Sequence, residues 1–145
     1  MDEQTATKSI VTKRVLIVDD EPSVLSVLRA SFALFRHGHT YQIVTAESAA
    51  AAFALLRQER FDLILLDIVM PARSGQWLRE KNLGLGLLTR FRDLGVTAPV
   101  LMITGAAHDA AKEAAANNAG VIGYLYKPID LRELDAAVAR VLGFG

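Results

Sequence analysis

The sequence predicts an α/β fold, a doubly wound parallel sheet with helices on both faces. One observation is a set of short runs rich in Val, Ile and Leu: "VLIV" (15–18), "LILL" (63–66), "VLMI" (100–103) and "VIGYLY" (121–126), with a weaker fifth, "YQIVT" (41–45). They lack the alternation of half-exposed strands, as strands covered on both faces do. The other observation is the order. Each run is followed by a segment of helical character, so strand and helix alternate five times, and right-handed crossovers then lay helices on both sides of one sheet.

The helical segments have individual reasons. Residues 22–35 place Val24, Leu25, Val27, Leu28, Phe32 and Phe35 near helical spacing, with Pro22 suited to the first turn. "ESAAAAFALLRQ" (47–58) and "AAHDAAKEAAANNAG" (106–120) are alanine-rich and of strong helix propensity. "LLTRFRDLG" (87–95) ends in Gly95, a candidate C-cap. "DLRELDAAVARVLG" (130–143) opens with Asp130 as N-cap and Glu133 three residues on, the pattern of a capping box.

A length of 145 residues suits one domain, and 52% apolar residues suffice for a core. Basic and acidic residues balance at 16 each, so no electrostatic footprint for nucleic acid or an acidic membrane is present. The absence of cysteine excludes disulfides, thiol nucleophiles and cysteine metal sites, and fits a reducing compartment. No apolar run reaches the length of a membrane helix. "MDEQTATKSIVT" is polar and lacks the apolar core of a signal peptide, so residues 1–12 read as a flexible tail, 13–145 as the domain, and the location as cytoplasmic.

In an open parallel sheet the ligand site lies beyond the carboxyl ends of the strands. Asp19 and Asp20 follow the first run, Asp67 the second, Thr104 the third and Lys127-Pro128 the last. Three carboxylates in one crevice repel one another. A hard divalent cation relieves this, and oxygen ligands with retained waters suit Mg²⁺. A metal and a lysine around a carboxylate can neutralise the oxygens of a phosphoryl group, and a carboxylate can accept that group as an acyl phosphate. The Thr104 hydroxyl is then placed to donate to a phosphoryl oxygen. Taken singly, each residue has an ordinary reading, as helix cap, turn residue or solvated lysine.

"VLIVDDEP", "DLILLDIVMPARSG", "APVLMITGA" and "YLYKPIDLREL", in this order and spacing, resemble the receiver domain of two-component response regulators, chemotaxis-regulator-like, over about Arg14 to Leu142. The resemblance implies a flavodoxin-like sheet of strand order 2-1-3-4-5. It matches Asp67 to the phosphoaccepting aspartate, Asp20 to a direct Mg²⁺ ligand, Asp19 to a carboxylate acting largely through water, and the Val69 carbonyl to a further ligand. It matches Lys127 to the lysine on the phosphoryl group, joined to Pro128 by a cis bond. Thr104 matches the switch hydroxyl, Gly105 the small residue beside it, and Tyr124 the switch aromatic. It implies a phosphorelay in which a sensor histidine kinase or phosphotransfer protein loads Asp67. The switched surface is that of the predicted fourth helix, fifth strand and fifth helix, with Lys112, Glu113, Arg132 and Glu133, read by a downstream protein. A phosphorylation-dependent homodimer stays open. The implied role is signalling rather than turnover, with self-phosphorylation and self-dephosphorylation, and no direct contact with nucleic acid or membrane.

The chain departs from the family pattern at "QWLREKNL" (76–83), an insertion of roughly seven residues by the family's usual spacing, holding the lone Trp77 with Arg79, Glu80 and Lys81. It reads either as a longer third helix or extra turn, or as a partner surface. Val69 and Ala106 are apolar where a polar side chain would help water attack, which predicts unassisted dephosphorylation. His37, His39 and His108 have no ligand company and read as surface residues. "GLGLLT" (84–89) lacks the third glycine and the preceding strand of a dinucleotide loop.

Three alternatives remain at this level: a receiver fragment of a longer regulator with a DNA-binding or enzymatic output domain, a haloacid-dehalogenase-type phosphatase, and a pseudo-receiver. The second wants a D-x-D after the first strand, where this chain has adjacent aspartates. Asp67, Asp20, Thr104 and Lys127, all present, weigh against the third.

Overall fold

The computed structural model describes residues 11–67, 83–104 and 120–143, with 83–87 and 104 by backbone alone. The chain runs β1 (Thr12–Val18), α1 (Pro22–Leu34), β2 (Thr40–Ala46), α2 (Ala49–Gln58), β3 (Leu63–Asp67), α3 (Leu83–Asp93), β4 (Val100–Thr104), β5 (Val121–Tyr126) and α4 (Leu131–Leu142). The predicted helix over 106–120 apart from its last residue, the insertion up to residue 82, Val69, Gly105 and His108 lie outside the described residues.

Five strands form one parallel sheet in the order β2-β1-β3-β4-β5, the expected topology. The chain steps from β1 outward to β2, then returns across β1 to β3, so the winding direction reverses between β1 and β3. That reversal opens a crevice at their carboxyl ends.

The strand pleat sorts the apolar runs into two cores. Leu16, Val18, Ile64, Leu66, Val100 and Met102 face one way and pack with Ala49 and Ala52 of α2 and Leu88 and Phe91 of α3. Val15, Ile17, Leu63, Leu65, Leu101 and Ile103 face the other way, against Leu25, Leu28 and Phe32 of α1 and Leu134, Ala137 and Val138 of α4. Both faces are covered, so a polar residue at either parity would be buried, which is why the central runs lack alternation. β2, the weakest run, is an edge strand with half-exposed positions.

Local chemistry sets the helix ends. Pro22 occupies the first turn of α1. α2 starts later than propensity alone predicts, because the Ser48 side chain accepts the Ala51 N–H and caps it. α3 ends in a Schellman motif: Val96 N–H donates to Phe91 O, Gly95 N–H donates to Arg92 O, and Gly95 has φ +87°. Asp130 caps α4, accepting the N–H groups of Arg132 at 2.8 Å and Glu133 at 3.4 Å.

One expectation fails. His37 is not a surface residue but is 2% exposed. Its Nε2 lies 2.6 Å from Asp135 Oδ1 of α4, its Nδ1 2.6 Å from the Tyr41 hydroxyl of β2, and its ring stacks on Phe35. Asp135 accepts, so Nε2–H donates, and in the neutral ring Nδ1 accepts the Tyr41 O–H. The partners come from 98 residues away and from the adjoining strand, beyond any local pattern. His39 is half-buried, in edge contact with Tyr41, and burial lowers its pKa, helped by Lys13 and His37.

Candidate functional site

The strand ends converge at the crevice between β1 and β3. Asp19 continues β1 by one residue, its N–H donating to Ala46 O, and is fully buried. Asp67 is the last residue of β3 and is 1% exposed. Carboxylate oxygens of Asp19, Asp20 and Asp67 lie within 4.8 Å of one another. The sequence-predicted acidic residues are therefore one cluster.

Lys127 enters from the loop after β5, where its bond to Pro128 is cis, as expected. Its Nζ donates to Asp67 Oδ2 at 3.2 Å and to Glu21 Oε1 at 2.8 Å. It also stands 3.0 Å from Asp19 Oδ2, an ion contact without the alignment of a hydrogen bond. Asp19 Oδ1 is held instead by the Glu21 N–H at 2.9 Å.

The electrostatics follow. Burial raises the Asp19 pKa above the ordinary carboxylate value, only partly offset by the Glu21 N–H and Lys127. Burial by itself lowers that of Lys127, but its contacts with Glu21 and Asp19 and the charge of Asp67 outweigh burial and raise it, so the ammonium stays charged. Among the described residues, three carboxylates, Asp19, Glu21 and Asp67, thus share the Lys127 ammonium, with Asp20 beside Asp19 and Asp67.

This donor set fits a hard cation. It is all oxygen and carries excess negative charge, and Asp19 Oδ2 is buried without an aligned hydrogen bond. Asp19, Asp20 and Asp67 are the described residues able to hold Mg²⁺.

Thr104 is the last residue of β4, one beyond Ile103, which is paired with Asp67. Tyr124 lies on β5 paired with Met102, half-buried against the α2/α3 core. Sequence reasoning missed Glu21, which makes the shortest contact to Lys127. Its signal was available as the acid next to the Asp pair, but only folding reveals that Lys127 is opposite.

Residues 15–139 match the family model described as the response regulator receiver domain. The chain belongs to this family. The receiver is 35% identical over 130 residues to protein PilH of Pseudomonas aeruginosa, covering 89% of this chain and 97% of that one. It is 38% identical over 125 residues to response regulator protein PmrA of the same species, covering 86% of this chain but 50% of the relative. The receiver thus spans about half the length of PmrA and nearly all of PilH. Among solved structures it resembles response regulator protein TrrA from Thermotoga maritima, determined with Mg²⁺ and beryllofluoride, at TM-score 0.69 and 28% identity, covering 90% of this chain and 99% of the other. A CheY-like receiver domain protein from Methanospirillum hungatei matches at TM-score 0.70 and 27% identity, covering 90% and 93% of the respective chains. Among the described residues no helix is long and apolar enough to cross a membrane.

Proposed function

We propose that Asp67 is the phosphoacceptor of this receiver, with Lys127 as its cationic partner and Asp19 and Asp20 as the acids that hold Mg²⁺. One observation carries the reading. Asp67 is buried at the end of β3, with Lys127 Nζ at 3.2 Å and the carboxylates of Asp19 and Asp20 within 4.8 Å. A buried carboxylate so flanked is a nucleophile with charge compensation already in place.

In the transfer, an Asp67 carboxylate oxygen attacks the phosphorus of a phosphohistidine. The new P–O bond forms as the P–N bond breaks, and the imidazole nitrogen leaves with the electron pair and takes a proton from water. Lys127 balances charge on the phosphoryl oxygens, and burial of Asp67 keeps bulk water from the acyl phosphate. Mg²⁺, when bound, supplies further positive charge at those oxygens. The Thr104 hydroxyl and Tyr124 carry the change outward, toward the face that includes β5 and α4.

The donor is a protein, a histidine kinase or phosphotransfer protein, in keeping with the family. An open cleft of about 540 Å³ beside Lys127, lined by Val24, Val27, Leu28, Pro128 and Ile129, offers apolar surface next to the acceptor. A histidine within bonding distance of Asp67 would bring its own protein over this cleft. Such signalling takes place in the cytoplasm. The fragment alternative is supported by the half-length match to PmrA.

The test is intact mass after incubation with acetyl phosphate and Mg²⁺. Wild type gains one phosphoryl group and Asp67→Asn gains none. A gain that persists in Asp67→Asn would assign the acceptor elsewhere.

A further inference from the structure

Lys127 makes its shortest contact not with the phosphoacceptor but with Glu21, at 2.8 Å against 3.2 Å. Glu21 has a constrained backbone. Its N–H donates to Asp19 Oδ1, its carbonyl accepts the N–H groups of Val24 and Leu25, and Pro22 follows it. It occupies the N-cap of α1, yet its side chain makes no capping bond. The carboxylate reaches across to the loop after β5 instead.

The partners of Lys127 differ in what losing it would cost them. Asp19 is fully buried and Asp67 nearly so, so neither can be rehydrated when the ammonium turns away. The Glu21 side chain is 54% exposed, and water replaces the lost bond there at little cost. Of the three carboxylates, Glu21 is the releasable one.

We infer that Glu21 is a positioning residue that shares Lys127 with the two buried carboxylates until a phosphoryl group arrives, and so sets how readily Asp67 is loaded. The inference rests on the reading of Asp67 as acceptor and Lys127 as its partner. A phosphoryl group on Asp67 places new negative oxygens within reach of Nζ. The ammonium then exchanges Glu21 for those oxygens, and the Glu21 carboxylate passes to solvent. Glu21 thus opposes loading by the strength of one exposed ion pair.

The test compares wild type and Glu21→Gln, each alone and with Lys127→Ala. Phosphorylation by acetyl phosphate in Mg²⁺ is followed by intact mass, resolved into apparent affinity for acetyl phosphate and maximal rate, alongside the affinity for beryllofluoride. Glu21→Gln is expected to raise the apparent affinity about two- to fivefold, the Boltzmann equivalent of an exposed ion pair, and to tighten beryllofluoride by the same factor. In the Lys127→Ala background the difference disappears. Phosphorylated wild type with an unchanged Glu21→Gln would overturn the inference alone. So would a gain that survives in Lys127→Ala, which would mark a general charge effect. Wild type that takes no phosphoryl group would overturn the acceptor reading and the inference with it.

Discussion

Replacing His37 by alanine removes a buried knot that joins the segment after α1 to β2 and α4. The imidazole is 2% exposed and is bonded at both nitrogens, to Tyr41 and Asp135 at 2.6 Å each. The Asp135 side chain is 51% exposed, so water can replace its lost bond. The Tyr41 hydroxyl sits in a half-buried setting and is left poorly satisfied, at a cost of about 1–3 kcal/mol. Loss of the ring stacked on Phe35, at 4.9 Å between centroids, adds about 1 kcal/mol. The sum is about 2–4 kcal/mol, or a melting temperature lowered by roughly 5–15 °C in a domain of this size. Urea unfolding followed by circular dichroism measures it, with loading by acetyl phosphate, proposed to occur at Asp67, as the control for an intact crevice. A loss below about 0.5 kcal/mol, the usual range for surface substitutions, would refute the placement of His37 in the core.

Three further outcomes are expected. The Tyr41 pKa is pushed up to about 12 by burial and by Asp135, so the neutral phenol favours the folded state. That contribution is complete below pH 10, the unfolded value, and is lost as pH rises toward 12. Discounted for partial exposure it is about 1 kcal/mol, and urea midpoints from pH 8 to 12 should lose it in wild type and not in Tyr41→Phe; parallel curves would count against it. Asp130→Ala removes the acceptor for two N–H groups at the start of α4 and should cost about 1 kcal/mol by thermal unfolding, with an unchanged midpoint as the contrary result. On the proposed reading of Asp67 as acceptor, its acyl phosphate should decay without side-chain help from Val69 or Ala106, and a lifetime short enough to need a positioned polar group would oppose this.

Much of the fold is legible in the sequence because burial on both faces leaves a mark that needs no tertiary knowledge. "VLIV", "LILL" and "VLMI" are apolar at every position, and each lies within a strand of the sheet. The Pro22 start, the Asp130 cap and the Gly95 stop depend on bonds within one or two turns, so they too are local. Ser48 shows the limit even here, since its capping role in α2 was hidden by the high helix propensity around it.

For the site, residue types at strand ends were enough to name Asp19, Asp20, Asp67 and Lys127, because a parallel sheet gathers its carboxyl ends at one edge. Charge type and position along a strand are properties of the sequence, and so the acidic crevice was determined there. Which carboxylate holds Lys127 most closely, and whether a histidine is solvated or buried, depend on side chains that meet only after the crossovers are made. Glu21 and Lys127 lie 106 residues apart, and His37 and Asp135 lie 98 apart. Those pairings were decided by the tertiary structure alone, since the order β2-β1-β3-β4-β5 brings the loops after β1 and β5 together over β3 and sets α1 beside α4 on one face.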